Sequence, residues 1–208
     1  MSVEQQIDGR IVFFNSIADA WDSWHDLPLL EARLQVDFDA LGIQRGECVL
    51  DIGCGTGNLT KALLSRLDSA GRVIAVDISP VMLERAQGKI NDPRVCWLQA
   101  AAHQLPLADG SCGRIICFSA WPHFEDPVAV LAEFARVLRA DGFVHILHYI
   151  SRAEVNQIHS EAHPSVHADL LGPASEVAVL FERNGFEVLS VVDDASCYAL
   201  NARKRHCL

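Results

Sequence analysis

Val49-Leu50-Asp51-Ile52-Gly53-Cys54-Gly55-Thr56-Gly57-Asn58 is the stretch that decides the fold. A short apolar run ends in an acid and an isoleucine, and glycine then fills every second position. Such a run reads as a buried strand that stops at a corner. With no side chain at Gly53 and Gly55, the backbone can approach a ligand closely. Glycine also allows the positive φ that a strand-to-helix corner can require. Backbone N–H groups and the start of the next helix then face the ligand. Crevices of this kind open at the carboxyl ends of parallel strands.

A regular alternation extends outward from this corner. The strand Cys48–Ile52 is followed by a helix over residues 59–67, a break at Gly71 and a strand over 73–76. Ser79 and Pro80 open the next helix as N-cap and first-turn residue, and it runs to about Gly88. A third strand covers 95–98. Asp109-Gly110 makes a turn before a fourth strand over 114–118. A helix over 127–138, a loop ending at Asp141-Gly142 and a fifth strand over 143–148 complete the series. Short strands alternating with helices predict an α/β fold with a doubly wound, mostly parallel sheet. The ending differs. A helix over 176–184, capped by Gly185, precedes two strands over 188–192 and 197–200 joined by Asp193-Asp194-Ala195. This hairpin places one antiparallel strand in the sheet. Residues 11–24 and 29–41 carry apolar residues at helical spacing and predict an N-terminal helical cap. The expected organisation is a single domain: cap 1–44, cofactor-binding core 45–150, an inserted lid-like segment 151–173, and a C-terminal helix and hairpin 174–208.

The predicted second strand ends at Val76-Asp77, twenty residues after Gly57. An acid there can accept hydrogen bonds from both hydroxyls of a ribose. The dinucleotide fingerprint is GxGxxG. Here the third glycine comes one residue early, and Asn58 stands in its place. Asp51 beside the crevice would repel a pyrophosphate but can hold an amino group. The pattern therefore favours a nucleoside bearing an amino acid over NAD.

Residues 49–58 resemble motif I of the class I S-adenosylmethionine-dependent methyltransferases. Val76-Asp77-Ile78-Ser79-Pro80-Val81-Met82-Leu83 resembles the motif that follows it. The resemblance continues through Leu105-Pro106-Leu107-Ala108-Asp109-Gly110-Ser111, Glu133-Phe134-Ala135-Arg136-Val137-Leu138 and Asn184-Gly185-Phe186. It covers about residues 45–203 and is similar to the type 11 subgroup, which implies a Rossmann-like fold and S-adenosylmethionine as cofactor. By this resemblance Asp77 binds the ribose and the loop from Gly53 to Gly57 lines the methionine portion. Asp51, Cys54, Asn58, Ile78, Met82, Ala102 and Phe118 complete the expected cofactor set. The family often has an acid after the third strand, where alignment places Ala101, so backbone near Ala101 and Ala102, or Gln104, would make that contact. Ala140-Asp141-Gly142 replaces the usual Pro-Gly-Gly corner. Residues 13–22 resemble the segment that closes over the cofactor in this subgroup, although on composition alone the safer reading of their aromatics is core.

Methyl transfer needs proximity, alignment and exclusion of water, and needs a base only when the acceptor must lose a proton. Acceptor residues are therefore weakly encoded. His123 follows the fourth strand and His148 ends the fifth, so both belong near the carboxyl edge. If residues 152–163 form one helix, Arg152, Asn156, His159 and His163 share a face that could cover the site. His123, His148, His159 and Asn156 are the candidate acceptor set, as orienting groups, as a base or as imidazole ligands of a metal. The alternative is hydrogen-bonded structural histidines and a solvated helix face, and no dedicated metal site is expected.

The remaining sequence excludes other classes. The chain has 208 residues, 50% hydrophobic and 21% charged, a composition that can bury a core and argues against disorder. Its net charge is -10 and no basic stripe offsets it, which disfavours a nucleic-acid partner. Arg203, Lys204 and Arg205 read as a solvated tail. The seven cysteines include no CxxC pair, which argues against a thiolate zinc site and fits a reducing cytoplasm. MSVEQQIDGR reads as neither a signal nor a transit peptide. No apolar run is long enough for a membrane span. The function expected is methyl transfer to a small-molecule acceptor. The alternatives are an NAD-dependent oxidoreductase and a non-catalytic S-adenosylmethionine-binding protein.

Overall fold

A computed structural model describes residues 8–205. The leader reading of the first residues, and Cys207, fall wholly or partly outside that span. Five strands run parallel: β1 (Cys48–Ile52), β2 (Arg72–Asp77), β3 (Val95–Gln99), β4 (Cys112–Phe118) and β5 (Leu138–His148). β6 (Phe186–Asp193) and β7 (Tyr198–Lys204) form the C-terminal hairpin. The sheet order is β3-β2-β1-β4-β5-β7-β6, and β7 pairs antiparallel with both β5 and β6. The hairpin thus inserts its second strand, and the sheet is the α/β, Rossmann-like type that the sequence predicts.

Helices cover both faces, as a parallel sheet requires. On one side α5 (Pro127–Val137) and α7 (Ala174–Arg183) bury Leu131, Phe134 and Phe181 against Ile115, Ile146 and Leu200. On the other, α2 (Leu27–Ala40) and α3 (Asn58–Arg66) bury Leu34, Phe38, Leu59 and Leu63 against Val49, Val73 and Ile116. α4 (Pro80–Lys89) follows β2, with Ser79 as N-cap accepting from Met82 N. α1 (Gly9–Ile17) lies against α4 and has no buried residue. It covers rather than fills. β1 lies between β2 and β4, so the strand order reverses there, and the switch point opens a crevice at the carboxyl ends.

Four local expectations change. The helix expected over 127–138 ends at Val137, and Leu138 already belongs to β5, paired with Cys112. The ladder shifts register before Arg114 pairs with Phe143, and Asp141 takes a left-handed φ of 58°. Asp141-Gly142 is therefore a bulge inside a strand and not a loop. A side chain at Gly142 would come within 2.8 Å of Leu138 Cδ2 and 3.0 Å of the Arg139 carbonyl, so the bend needs glycine.

The basic cluster is not a solvated tail. Arg203 and Lys204 are β7 residues. Arg203 donates to Glu187, and Lys204 Nζ donates to the Leu138 carbonyl at 2.8 Å. In the inserted segment, α6 (Arg152–Glu161) stops before His163, which instead caps a 3-10 turn over Pro164–Val166. The four-residue polar face is therefore broken. Val155 and His159 form the buried side of α6, and Arg152 pairs with Asp193.

Candidate active site

The three glycines of the corner all have positive φ, 74° at Gly53, 52° at Gly55 and 84° at Gly57. They serve different ends. A Cβ at Gly53 would lie 2.4 Å from Ala120 Cβ, so β1 and the chain after β4 can approach only with glycine there. A Cβ at Gly57 would meet Ile90 Cδ1 at 3.0 Å and Ala86 Cβ at 3.1 Å, which makes it a packing residue at the start of α3. Gly55 has open space, with only Trp21 Nε1 near, at 4.0 Å. It faces a cavity of about 270 Å³ at the switch point. Every residue of the expected cofactor set lines that cavity except Gly57. The loop is pinned by Gly53 N and Cys54 N, which both donate to the Val76 carbonyl.

Asp77 ends β2 with each carboxylate oxygen accepting one backbone N–H, from Gly55 and from Ser79, both at 2.8 Å. One lone pair per oxygen is left toward the cavity. The helix cap is Ser79, not Asp77. Burial raises the Asp77 pKa, and the N–H groups of Ser79 and Gly55 work against that rise.

Asp51 is the second buried acid. Its Oδ2 accepts from Thr60 Oγ1 at 2.6 Å, while Oδ1 has no partner among the described residues. Burial pushes its pKa to about 7; the Thr60 hydroxyl lowers it and the Asp77 charge adds to the rise. Asp51 lines the cavity, and a buried carboxylate oxygen without a partner is what an ammonium group needs. The residues present therefore fit a nucleoside carrying an amino acid. Cofactor affinity is expected to rise between about pH 6 and pH 8 as Asp51 ionises, and Asp51→Asn should remove that rise. The sign for stability is opposite. A folded-state pKa raised above the unfolded value makes the cofactor-free protein lose stability as pH climbs from about 4 to 7. Asp51→Asn should therefore raise the melting temperature of the cofactor-free protein at pH 8. Calorimetry and thermal melts at several pH values check both.

On the acceptor side the structure separates the four candidates. His123 lines the cavity, and its Nδ1 lies 2.8 Å from Asp169 Oδ2. Asp169 is buried and also takes a forked bond from Arg10, Nε to Oδ2 at 3.0 Å and Nη2 to Oδ1 at 2.7 Å. Burial pushes the Asp169 pKa up, but the hydrogen bonds from His123 and Arg10 outweigh it and hold the carboxyl below its ordinary value. His159 lies beside His123 with ring centroids 4.7 Å apart and planes tilted by 45°, and its Nδ1 bonds the Asp169 carbonyl. Asn156 clamps Leu171, accepting from its N–H at 2.7 Å and donating to its carbonyl at 3.1 Å. These two residues hold the 169–171 segment and do not line the cavity. His148 lies buried against Tyr198, with its Nε2 unpartnered. Burial, then the neighbouring His123 and His159, push its pKa down to about 3, so it stays neutral. Among the described residues no group of three His, Cys, Asp or Glu side chains is placed to hold a metal ion.

Several cavity residues escape sequence reasoning. Tyr149 and Ile150 follow β5 and line the wall; Phe14 and Trp21 line it too, from the N-terminal segment whose resemblance already placed it over the cofactor. Ser119 lines it with φ at 55°, a strained position for a non-glycine residue, held by its N–H to the Leu147 carbonyl. Asp169 and Arg10 lie 46 and 113 residues from His123 in the chain, and no local pattern links them. The segment expected to close over the cofactor does cross the loop. Asp22 accepts from Thr56 Oγ1 at 2.6 Å and Asn58 Nδ2 at 3.0 Å.

A family model described as a methyltransferase domain matches residues 50–146, from β1 to the middle of β5. A curated relative, the ubiquinone/menaquinone biosynthesis C-methyltransferase UbiE of Idiomarina loihiensis, is 32% identical over 155 residues, 70% of this chain and 62% of that protein. An uncharacterised 37.1 kDa protein in transposon TN4556 of Streptomyces fradiae is 40% identical over 141 residues, 66% of this chain and 41% of that protein. The chain thus spans less than two thirds of the length of these relatives. Among solved structures, a SAM-dependent methyltransferase from Aquifex aeolicus superposes with a TM-score of 0.75 at 22% identity, covering 91% of this chain and 98% of its own, which supports the fold.

Proposed function

Because this chain belongs to the class I S-adenosylmethionine-dependent methyltransferases of the type 11 group, we propose that it transfers a methyl group to a small-molecule acceptor that gives up a proton in the reaction. S-adenosylmethionine, when bound, supplies the methyl group on a sulfonium whose sulfur is the leaving group. The observation that carries the reading is the placement of His123. Its ring lines the same cavity as the glycine corner and Asp77, with Asp169 on its Nδ1. A carboxylate there keeps the proton on Nδ1 and leaves Nε2 as the acceptor of a proton. Nε2 has no partner among the described residues. It would take the proton that the acceptor gives up.

The other groups bind and orient. Asp51 would receive the ammonium of the methionine portion and Asp77 the ribose hydroxyls, and the open space at Gly55 would leave room for the cofactor. Phe14, Phe124, Tyr149 and Ile150 make the wall around His123 apolar, which suits an acceptor with a flat or apolar body and helps exclude water. The relatives named as quinone-biosynthesis C-methyltransferases favour one form of this reading. A phenol that loses its hydroxyl proton to His123 becomes nucleophilic at a ring carbon; after methylation there the ring C–H proton would leave to water, and the oxygen would take back a proton from His123. With a net charge of -10, the chain is poorly suited to a nucleic-acid acceptor.

The test is parallel calorimetric titration with S-adenosylmethionine, S-adenosylhomocysteine and NAD, followed by turnover with phenols, amines and thiols. Saturable binding of the first two and methylation of at least one acceptor are expected. Binding of NAD alone would overturn the reading, and binding without turnover of any acceptor would favour a non-catalytic cofactor-binding protein.

A further inference from the structure

Residues 10–22 form a strap that touches both halves of the cavity. At one end Arg10 forks onto Asp169, the residue behind His123. At the other, Asp22 ties to Thr56 and Asn58 of the glycine corner and pairs with Lys89 of α4 at 2.6 Å. Between them Asn15 accepts from Ser79 Oγ at 2.7 Å, next to Asp77, and Asp19 pairs with Arg85. The ring of Phe14 stands edge-on to His123 with centroids 4.9 Å apart.

Part of the base's support comes from outside the strap. His159 and Asn156 hold the 169–171 backbone from α6. The Asp169 carboxylate is different. Its side chain is 2% exposed, and its partners are the His123 ring and one cation, Arg10. Lifting the strap removes Arg10 and leaves a buried carboxylate with one partner, which is a costly state. Relief comes through rotation of the carboxylate, entry of water or protonation, and each of these loosens the Nδ1 bond that orients His123.

We propose that Arg10 is a positioning residue that makes the His123 base depend on closure of the strap over the cofactor corner. This rests on the reading of His123 as the base. The strap then works as a two-ended coupling. Cofactor at the corner favours the closed strap through Asp22, Asn15 and Trp21, and the closed strap delivers Arg10 to Asp169. Because coupling between sites is reciprocal, disturbing either end is felt at the other. The base is assembled only when the methyl donor is enclosed.

The experiment uses the full chain, and its NMR and binding arms need no acceptor. The Nδ1 proton of His123, hydrogen-bonded to a carboxylate, gives a downfield NMR signal that is assigned by its loss in His123→Gln. In the wild type, adding S-adenosylhomocysteine is expected to sharpen that signal. Arg10→Met should broaden or abolish it and weaken S-adenosylhomocysteine binding by about tenfold, within the usual range of coupling between sites. Arg10→Lys should restore part of both. Asp22→Asn has no contact with His123 or Asp169, yet it should broaden the same signal; a purely structural role for Arg10 would not produce that. A sharp His123 signal in Asp22→Asn together with weakened S-adenosylhomocysteine binding would overturn the coupling, as would a normal signal in Arg10→Met. Failure of the underlying reading looks different, because S-adenosylhomocysteine would then not bind the wild type, or His123→Gln would keep full turnover.

Discussion

Replacing Asp77 by asparagine is expected to weaken S-adenosylhomocysteine binding by about 1.5–3 kcal/mol, roughly 10- to 150-fold, the range for hydrogen bonds to a charged group. The carboxylate has two oxygens, and each accepts one backbone N–H, from Gly55 and from Ser79. An amide offers only one acceptor. Its NH2 group must then face either the Gly55 or the Ser79 N–H, and the corner or the start of α4 moves. The ribose hydroxyls also lose a charged acceptor. Folding should suffer less than binding, because burial already disfavours the Asp77 charge in the absence of ligand. Calorimetry beside a thermal melt separates the two effects. An affinity equal to that of the wild type in a folded protein would remove Asp77 from the ribose site.

For His123→Gln the expected loss is in the chemical step, about 10²- to 10⁴-fold in kcat, the range for removing a positioned general base. Cofactor affinity should change far less, by no more than the roughly tenfold coupling through Asp169 and the strap, since the ring makes no hydrogen bond to the glycine corner or to Asp77. Asp169→Asn should lower kcat less. An amide oxygen can still accept from Nδ1, but the forked pairing with Arg10 is lost. His148→Phe separates this assignment from a rival one. His148 stays neutral down to about pH 3 and does not line the cavity, so its replacement should leave the shape of the pH–rate profile unaltered. A profile that changed with His148 and not with His123 would place the base on the wrong strand.

The contrast between those two histidines shows why the acceptor half was hard to read. Both sit at strand ends near the carboxyl edge, and both were candidates on equal terms. β5 is buried on both faces, so its sequence carries no apolar–polar alternation to reveal which side chains point where. The structure places His148 against Tyr198 and Tyr149, the next residue, in the cavity wall, as the period of two requires. The glycine corner carried a similar ambiguity. Three glycines at equal spacing read as one motif, yet Gly55 faces the cavity, Gly53 admits Ala120, and Gly57 seats α3 against Ile90 and Ala86.

The sequence by itself determined the order of strands and helices, the corner after β1, and the acids at Asp51 and Asp77. These features are local. An apolar run, a glycine with positive φ, a Ser-Pro helix start and an acid at a strand end each act within a few residues. The cofactor half of the cavity is assembled from such ends, because parallel strands align their carboxyl termini at one edge. Only the tertiary structure decided the acceptor half. His123, Asp169 and Arg10 come from the chain after β4, the inserted segment and α1, and nothing within one helical turn or one strand repeat relates them. Their meeting depends on how α1 packs over the switch point and on which way the 169–171 segment is turned by His159 and Asn156, and those contacts arise only when the whole chain folds.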